Sequence, residues 1–225
     1  MKYAFSLWLP LLVSASLCVA SVPGHAQVRS EILLDIVEHC VDPSLSDYCS
    51  QCRYPRADAG CQVPAPRCGA DTEVWALTPE FAAIRDIKMC GCPAAFVHGL
   101  ALPRAAVRGV EDPSRPEGIW QFAWNASVGR IPAEQVALVV NPRAHRSQNQ
   151  LHVHLVRLRE DVVLAPLVAG YVSDLGQVWA TAAAAASALG LEDYGVLVAQ
   201  RRGGFFVVAV SADSAEDRFA VATCR

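Results

Sequence analysis

The sequence predicts an α+β protein, an antiparallel sheet with flanking helices and a disulfide-rich N-terminal segment. Three observations carry that expectation. Residues 135–141 and 149–158 each place apolar side chains at alternate positions, the period of a strand. Tyr194 to Ala199 and Phe205 to Val210 flank Arg201-Arg202-Gly203-Gly204, the turn chemistry of a hairpin. Helical signals are confined to a few stretches set between these runs.

Taken from the start, Met1-Lys2 is a short positive opening, and Phe5 to Ala20 is apolar and uncharged. Gly24-His25-Ala26 puts small residues at −3 and −1 of a cleavage site, so residues 1–26 read as a secretory signal peptide or a membrane anchor. Pro10 and the shortness of the run favour the cleaved form, since a span needs about 20 apolar residues. Leu17 directly before Cys18 argues against lipoprotein processing. The expected location is the periplasm, or the periplasmic face of an inner membrane.

Beyond Cys18 there are eight cysteines: Cys40, Cys49, Cys52, Cys61, Cys68, Cys90, Cys92 and Cys224. An even count in an exported chain favours disulfides. The rival is zinc, because Cys49-x-x-Cys52 has ligand spacing, but no second such pair answers it. Cys90 and Cys92 lie two residues apart and are expected to bond to different partners.

Residues 27–72 form an N-terminal helix and a Cys-rich loop segment. Ser30 caps a helix carrying Ile32, Leu33, Ile36 and Val37 at helical spacing, and 40–72 is loop. Residues 73–225 form the main domain. Phe81 to Ile87 and Ala95 to Leu102 are expected as its first two strands, and Asp112 to Pro116 as a turn. Glu117 to Ala126 reads as a helix bearing Trp120 and Trp124 four residues apart, hence on one face. Packing in the core is the favoured reading of that pair, contact with lipid tails the other. Gln135 to Asn141 and Asn149 to Leu158 are strands joined by a polar, Arg-bearing turn. The Ala-rich stretch Trp179 to Leu189 is a helix stopped by Gly190.

The 225 residues suit one ordinary domain, and 53% hydrophobic composition excludes a disordered chain. A net charge of −3 argues against nucleic acid as a partner, so any anion site must be local. That site is expected at Asn141 to Leu155. On a strand, Leu151, Val153 and Leu155 face a core while Gln148, Gln150, His152 and His154 face the other way. Burying such a polar row without partners is costly. Arg143 and Arg146 in the turn suit phosphate, and Ser147 and Asn141 add neutral hydrogen-bonding groups. A neutral imidazole facing cations fits nucleophilic attack on phosphorus. A metal reading lacks an obvious third ligand, His145 lying in the turn and His98 and His39 far off in sequence.

At this stretch the chain resembles the histidine-triad (HIT-like) superfamily, whose signature alternates three histidines with apolar residues. The likeness is closer to one branch, the bacterial CDP-diacylglycerol pyrophosphatases, through Asn141, Arg143, Arg146, Ser147, Gln148, Asn149, Gln150, His152 and His154, with Arg157 to Asp161 continuing it. The resemblance is specific over about 81 to 165. It implies a HIT-like antiparallel sheet, no cofactor, and hydrolysis of CDP-diacylglycerol to CMP and phosphatidate at a membrane surface. It implies His152 as nucleophile, His154 and Gln150 beside it, and Asn141, Arg143, Arg146, Ser147, Gln148 and Asn149 around the phosphates. A homodimer is the assembly it suggests. The first signature histidine is Gln150 here, which cannot carry a proton as imidazolium. Two rivals follow: a periplasmic hydrolase of soluble nucleoside diphosphate compounds, and a non-catalytic nucleotide- or lipid-binding protein.

Overall fold

The computed structural model describes residues 30–42, 44, 73–89, 91–163, 168–201, 203–204 and 206–224. The leader-like residues 1–26, the loop cysteines Cys49, Cys52, Cys61 and Cys68, and Cys90 lie outside them. In chain order the elements are α1 (Ile32–His39), β1 (Val74–Leu77), β2 (Phe81–Arg85), β3 (His98–Pro103), α2 (Ile119–Ser127), β4 (Val136–Val140), β5 (Val153–Arg157), β6 (Val168–Val172), α3 (Val178–Ala188), β7 (Gly195–Gln200), β8 (Phe206–Ser211) and α4 (Ala215–Phe219).

The eight strands form one sheet in the order β1-β2-β3-β5-β4-β7-β8-β6. Every strand pair in it is antiparallel. The hairpin around 201–204 pairs Gln200 with Phe206 as expected. Strands β1 and β6 and helix α4 had no clear sequence signal. The expected first strands are shorter at one end: β2 stops at Arg85, leaving Ile87 in a 3-10 turn, and β3 starts only at His98.

Both faces of the sheet are covered, so β4 is buried at all five positions rather than at alternate ones. Val136, Leu138 and Val140 face α2 and α3, in a core with Trp120 and Trp179. Ala137 and Val139 face α4, in a second cluster with Phe219. Trp120 is fully buried against Trp179 with ring centroids 4.7 Å apart, and Trp124 meets Phe206 at 4.8 Å. Trp120 is therefore a core residue, and Trp124 is partly buried against that core.

Helix α1 covers the other end of the second face, where Leu33, Ile36 and Val37 pack on Ala82, Ile84, Leu100 and Leu102. The Ser30 hydroxyl accepts from the Ile32 amide at 3.2 Å, which satisfies one free donor of its first turn. Helix α3 ends as its sequence predicts. Gly190 takes φ 67°, and the amides of Leu191 and Gly190 close back on the carbonyls of Ala186 and Ser187. Among the described residues no helix is long and apolar enough to cross a membrane.

Candidate active site

Helices α1 and α4 cover opposite ends of one sheet face and leave a gap over β3 and β5. A cavity of about 510 Å³ occupies it, lined by Ile32, Leu33 and Ile36 from α1 and by Glu216 and Asp217 from α4. The pleat sets its floor. His98, Leu100 and Leu102 of β3 point to this face, as do His154 and Val156 of β5. Leu100 pairs with His154 across the two strands, and His98 with Val156.

His152 and His154 line the cavity with ring centroids 4.8 Å apart. The Nδ1–H of His152 donates to the Gln150 carbonyl at 2.8 Å. A carbonyl only accepts, so this contact fixes the tautomer and leaves the lone pair of neutral His152 on Nε2. Burial lowers the His152 pKa from its ordinary value, with the Arg146 and Lys88 charges acting in the same sense. Burial likewise takes His154 well below that value, with His152 and His98 adding to the shift.

His154 is held by its neighbours. Its Nδ1 lies 3.1 Å from Nε2 of His98, and its Nε2, which has no hydrogen-bond partner, lies 3.5 Å from a Glu216 carboxylate oxygen. The His98 Nε2 also sits 3.4 Å from Asp86 and 3.5 Å from Glu216. Lys88 closes the group with its ammonium 2.5 Å from Glu216. Burial lowers the His98 pKa to about 4 and raises that of Asp86. Asn141 grips Glu216 through backbone and side chain, at 2.9 and 3.3 Å.

Sequence distance had hidden a metal-type cluster around His154, which does not include His152. Asp86, His98 and His154 each offer one ligand atom, all within 4.8 Å of one another. Ligands at zinc distances lie at most about 4.2 Å apart, so this cluster is wider than a closed zinc shell. The Lys88 ammonium at Glu216 supplies positive charge beside it, and the contacts are those of a hydrogen-bonded network.

The expected phosphate residues divide into two groups. Asn141, Arg146, Ser147 and Gln148 line the cavity with His145. Arg146 is buried and held through both terminal nitrogens by Glu111. Burial alone would raise the Glu111 carboxyl, but the guanidinium beside it holds it below the usual range. Arg143, Asn149 and Gln150 are not among the cavity residues. Asn149 donates to Glu31 just before α1, and the Arg143 amide donates to Asp193.

The Gln150 side chain is fully occupied elsewhere. It accepts from the Val107 amide at 3.2 Å and donates to the carbonyls of Pro103 and Ala105, both at 2.8 Å. Alternation had set it beside His152 and His154. However, β5 begins only at Val153, and the bends before it turn Gln150 away. Sequence reasoning missed Asp86, Lys88, His98, Glu111 and Glu216. Only His98 carried a signal, as a histidine on a predicted strand.

Residues 92–185 match the family of CDP-diacylglycerol pyrophosphatases. Among solved structures, a HIT family hydrolase from Clostridium thermocellum is similar over 41% of this chain and 84% of that one, at 22% identity and a TM-score of 0.34. The matched segment holds His98, His152 and His154, so over residues 92–185 the chain is similar to the CDP-diacylglycerol pyrophosphatases.

Proposed function

We propose that the chain hydrolyses the pyrophosphate bond of CDP-diacylglycerol to CMP and phosphatidate, with His152 as nucleophile. The supporting observation is the 2.8 Å contact from His152 Nδ1 to the Gln150 carbonyl, which leaves Nε2 as the free nitrogen of a cavity-lining imidazole. In the first step Nε2 bonds to one phosphorus, the bridging P–O bond breaks, and the other half departs as a phosphate monoester. In the second, water displaces the imidazole from the N–P adduct and releases the second monoester and a proton. The developing positive charge on the ring is shared through Nδ1–H with the Gln150 carbonyl. Arg146, Ser147 and Gln148 surround the phosphates, where fixed donors stabilise the transferring group most.

The occupied Gln150 side chain is compatible with this chemistry. A phosphate monoester has a second pKa near about 6 and departs without a proton donor. An amine or alkoxide leaving group would need one. This favours an anhydride substrate.

The compartment is the periplasm, reached through the N-terminal apolar segment, with substrate met at the membrane surface. The disulfide joining Cys92 to Cys224 supports an oxidising compartment. Purified protein offered CDP-diacylglycerol, CDP-choline and ADP-ribose separates the lipid reading from a soluble-nucleotide one. Mass spectrometry of the quenched reaction should place a cytidylyl or phosphatidyl adduct on His152. CMP release that persists in His152→Ala would refute the nucleophile.

A further inference from the structure

The cavity has two unlike walls, and only one is accounted for by a diphosphate. On the α4 side it is polar, with Asn141, Ser214, Glu216 and Asp217. On the α1 side the lining is Ile32, Leu33, Ile36, Ile84, Leu100 and, at the rim, Ile87. Ile87 is 55% exposed and Ile32 is partly exposed, although both are large and apolar. A pocket built for a nucleoside diphosphate alone has no use for such a wall.

The wall is continuous with the catalytic floor. Ile84 pairs with Leu100, and Leu100 with His154, so an apolar row runs along one face of the sheet up to the imidazoles. Helix α1 is also fixed against the phosphate turn. The Ser30 amide donates to the Ser147 carbonyl at 2.9 Å, the Asn149 amide donates back to Ser30 at 3.1 Å, and the Asn149 side chain bonds Glu31. The helix lies outside the segment that matches the family, yet its position is locked to the residues around the substrate phosphates.

From this we infer that the α1 wall is an acyl subsite, which receives the glycerol and the first methylenes of the substrate's acyl chains while the diphosphate lies over His152. The inference rests on the hydrolytic reading for the placement of the headgroup. Ile32 and Ile87 gain most from such a ligand, because they are the least covered without one.

The test uses the full chain and a series of CDP-diacylglycerol analogues with a methylene in place of the bridging oxygen, from CDP-glycerol through dibutyryl and dihexanoyl to dioctanoyl. Affinity by calorimetry should rise by about fourfold for each methylene that reaches the wall, then level off. In the double variant Ile32→Gln, Ile87→Gln the gain from dibutyryl to dioctanoyl should shrink by about tenfold. Affinity independent of chain length, or an unaltered slope in the variant, overturns the acyl subsite. If the analogues bind with the expected slope but true CDP-diacylglycerol is not hydrolysed, the catalytic reading fails and the subsite stands.

Discussion

Both terminal nitrogens of Arg146 lie on the two carboxylate oxygens of Glu111, at 2.7 and 2.5 Å, while the same guanidinium borders the cavity. The pairing aims a rigid fork rather than a mobile charge. Arg146→Lys should therefore lower kcat/KM for CDP-diacylglycerol by about tenfold or more, since an ammonium cannot span two carboxylate oxygens. Glu111→Ala should cost about 1–2 kcal/mol in urea melts, less than for a fully buried pair because a third of the Glu111 side chain is exposed. Gly109 gives a sharper probe. A Cβ there would come 2.0 Å from Arg146 Nη1. Gly109 also takes φ 158°, which L side chains rarely adopt, so Gly109→Ala should lower stability as well as turnover. A melting shift without a kinetic effect would contradict that placement.

As the proposed nucleophile, His152 would have to be neutral to attack. Burial lowers its pKa below the ordinary 6.5, so the acid limb of kcat/KM should fall below pH 6.5, with activity maintained into mildly acidic buffer. A limb at or above 6.5 would mean that the attacking ring is solvated.

His98 is expected to govern acid stability. Its pKa is about 4 folded against 6.5 unfolded. Below 6.5 the unfolded chain takes up a proton that the folded chain refuses, so stability falls with pH until about 4, where the folded form protonates too. The loss is about 3 kcal/mol over that window. Asp86, raised by burial, works in the opposite sense, gaining stability as pH falls through its folded value. Urea melts of wild type and His98→Gln at pH 7 and pH 4 isolate the histidine. The difference between them should move against the wild type on acidification, and a constant difference would show that His98 does not titrate between the two states.

Gln150 serves the fold at a position where the related signature has a histidine. It satisfies one amide and two carbonyls of the 103–107 segment. Gln150→Ala should cost about 2–3 kcal/mol, as these buried groups lose their partner. Gln150→His should also destabilise, because an imidazole cannot supply two donors and an acceptor in that geometry. It should bring no gain in CMP release. A clear gain would return position 150 to the catalytic machinery and favour the reading in which the natural chain only binds.

Much of the sheet was legible because its strands are bounded by turn residues and its β-branched runs are short. The His152–His154 pair was legible because the two lie in one motif. The rest of the site was not, for a physical reason. His98 reaches His154 across a β3–β5 pairing 56 residues apart in sequence, and Glu216 arrives from a five-residue helix that has no periodicity to read. Alternation also failed at Gln150, since it holds only within a strand and β5 starts three residues later. Cys92 and Cys224 were legible as thiols but not as partners.

That disulfide closes the same region as the Lys88–Glu216 ion pair. Cys92 follows the turn that carries Lys88, and Cys224 follows α4, which carries Glu216. The bond spans 132 residues, so its removal frees a long loop in the unfolded chain, a change expected to cost about 2–4 kcal/mol. It also frees the C-terminal segment that follows α4. The isosteric pair Cys92→Ser, Cys224→Ser should therefore lower both the melting temperature and kcat, with the kinetic loss persisting at temperatures where the variant is fully folded by circular dichroism. The ion pair supplies the control. Lys88→Met should reduce kcat without the change in unfolding entropy that opening a 132-residue loop brings. If the serine variant melts earlier but turns over CDP-diacylglycerol at the wild-type rate, α4 is held over the cavity by its own packing on β4 and β7, and the staple bears on folding alone.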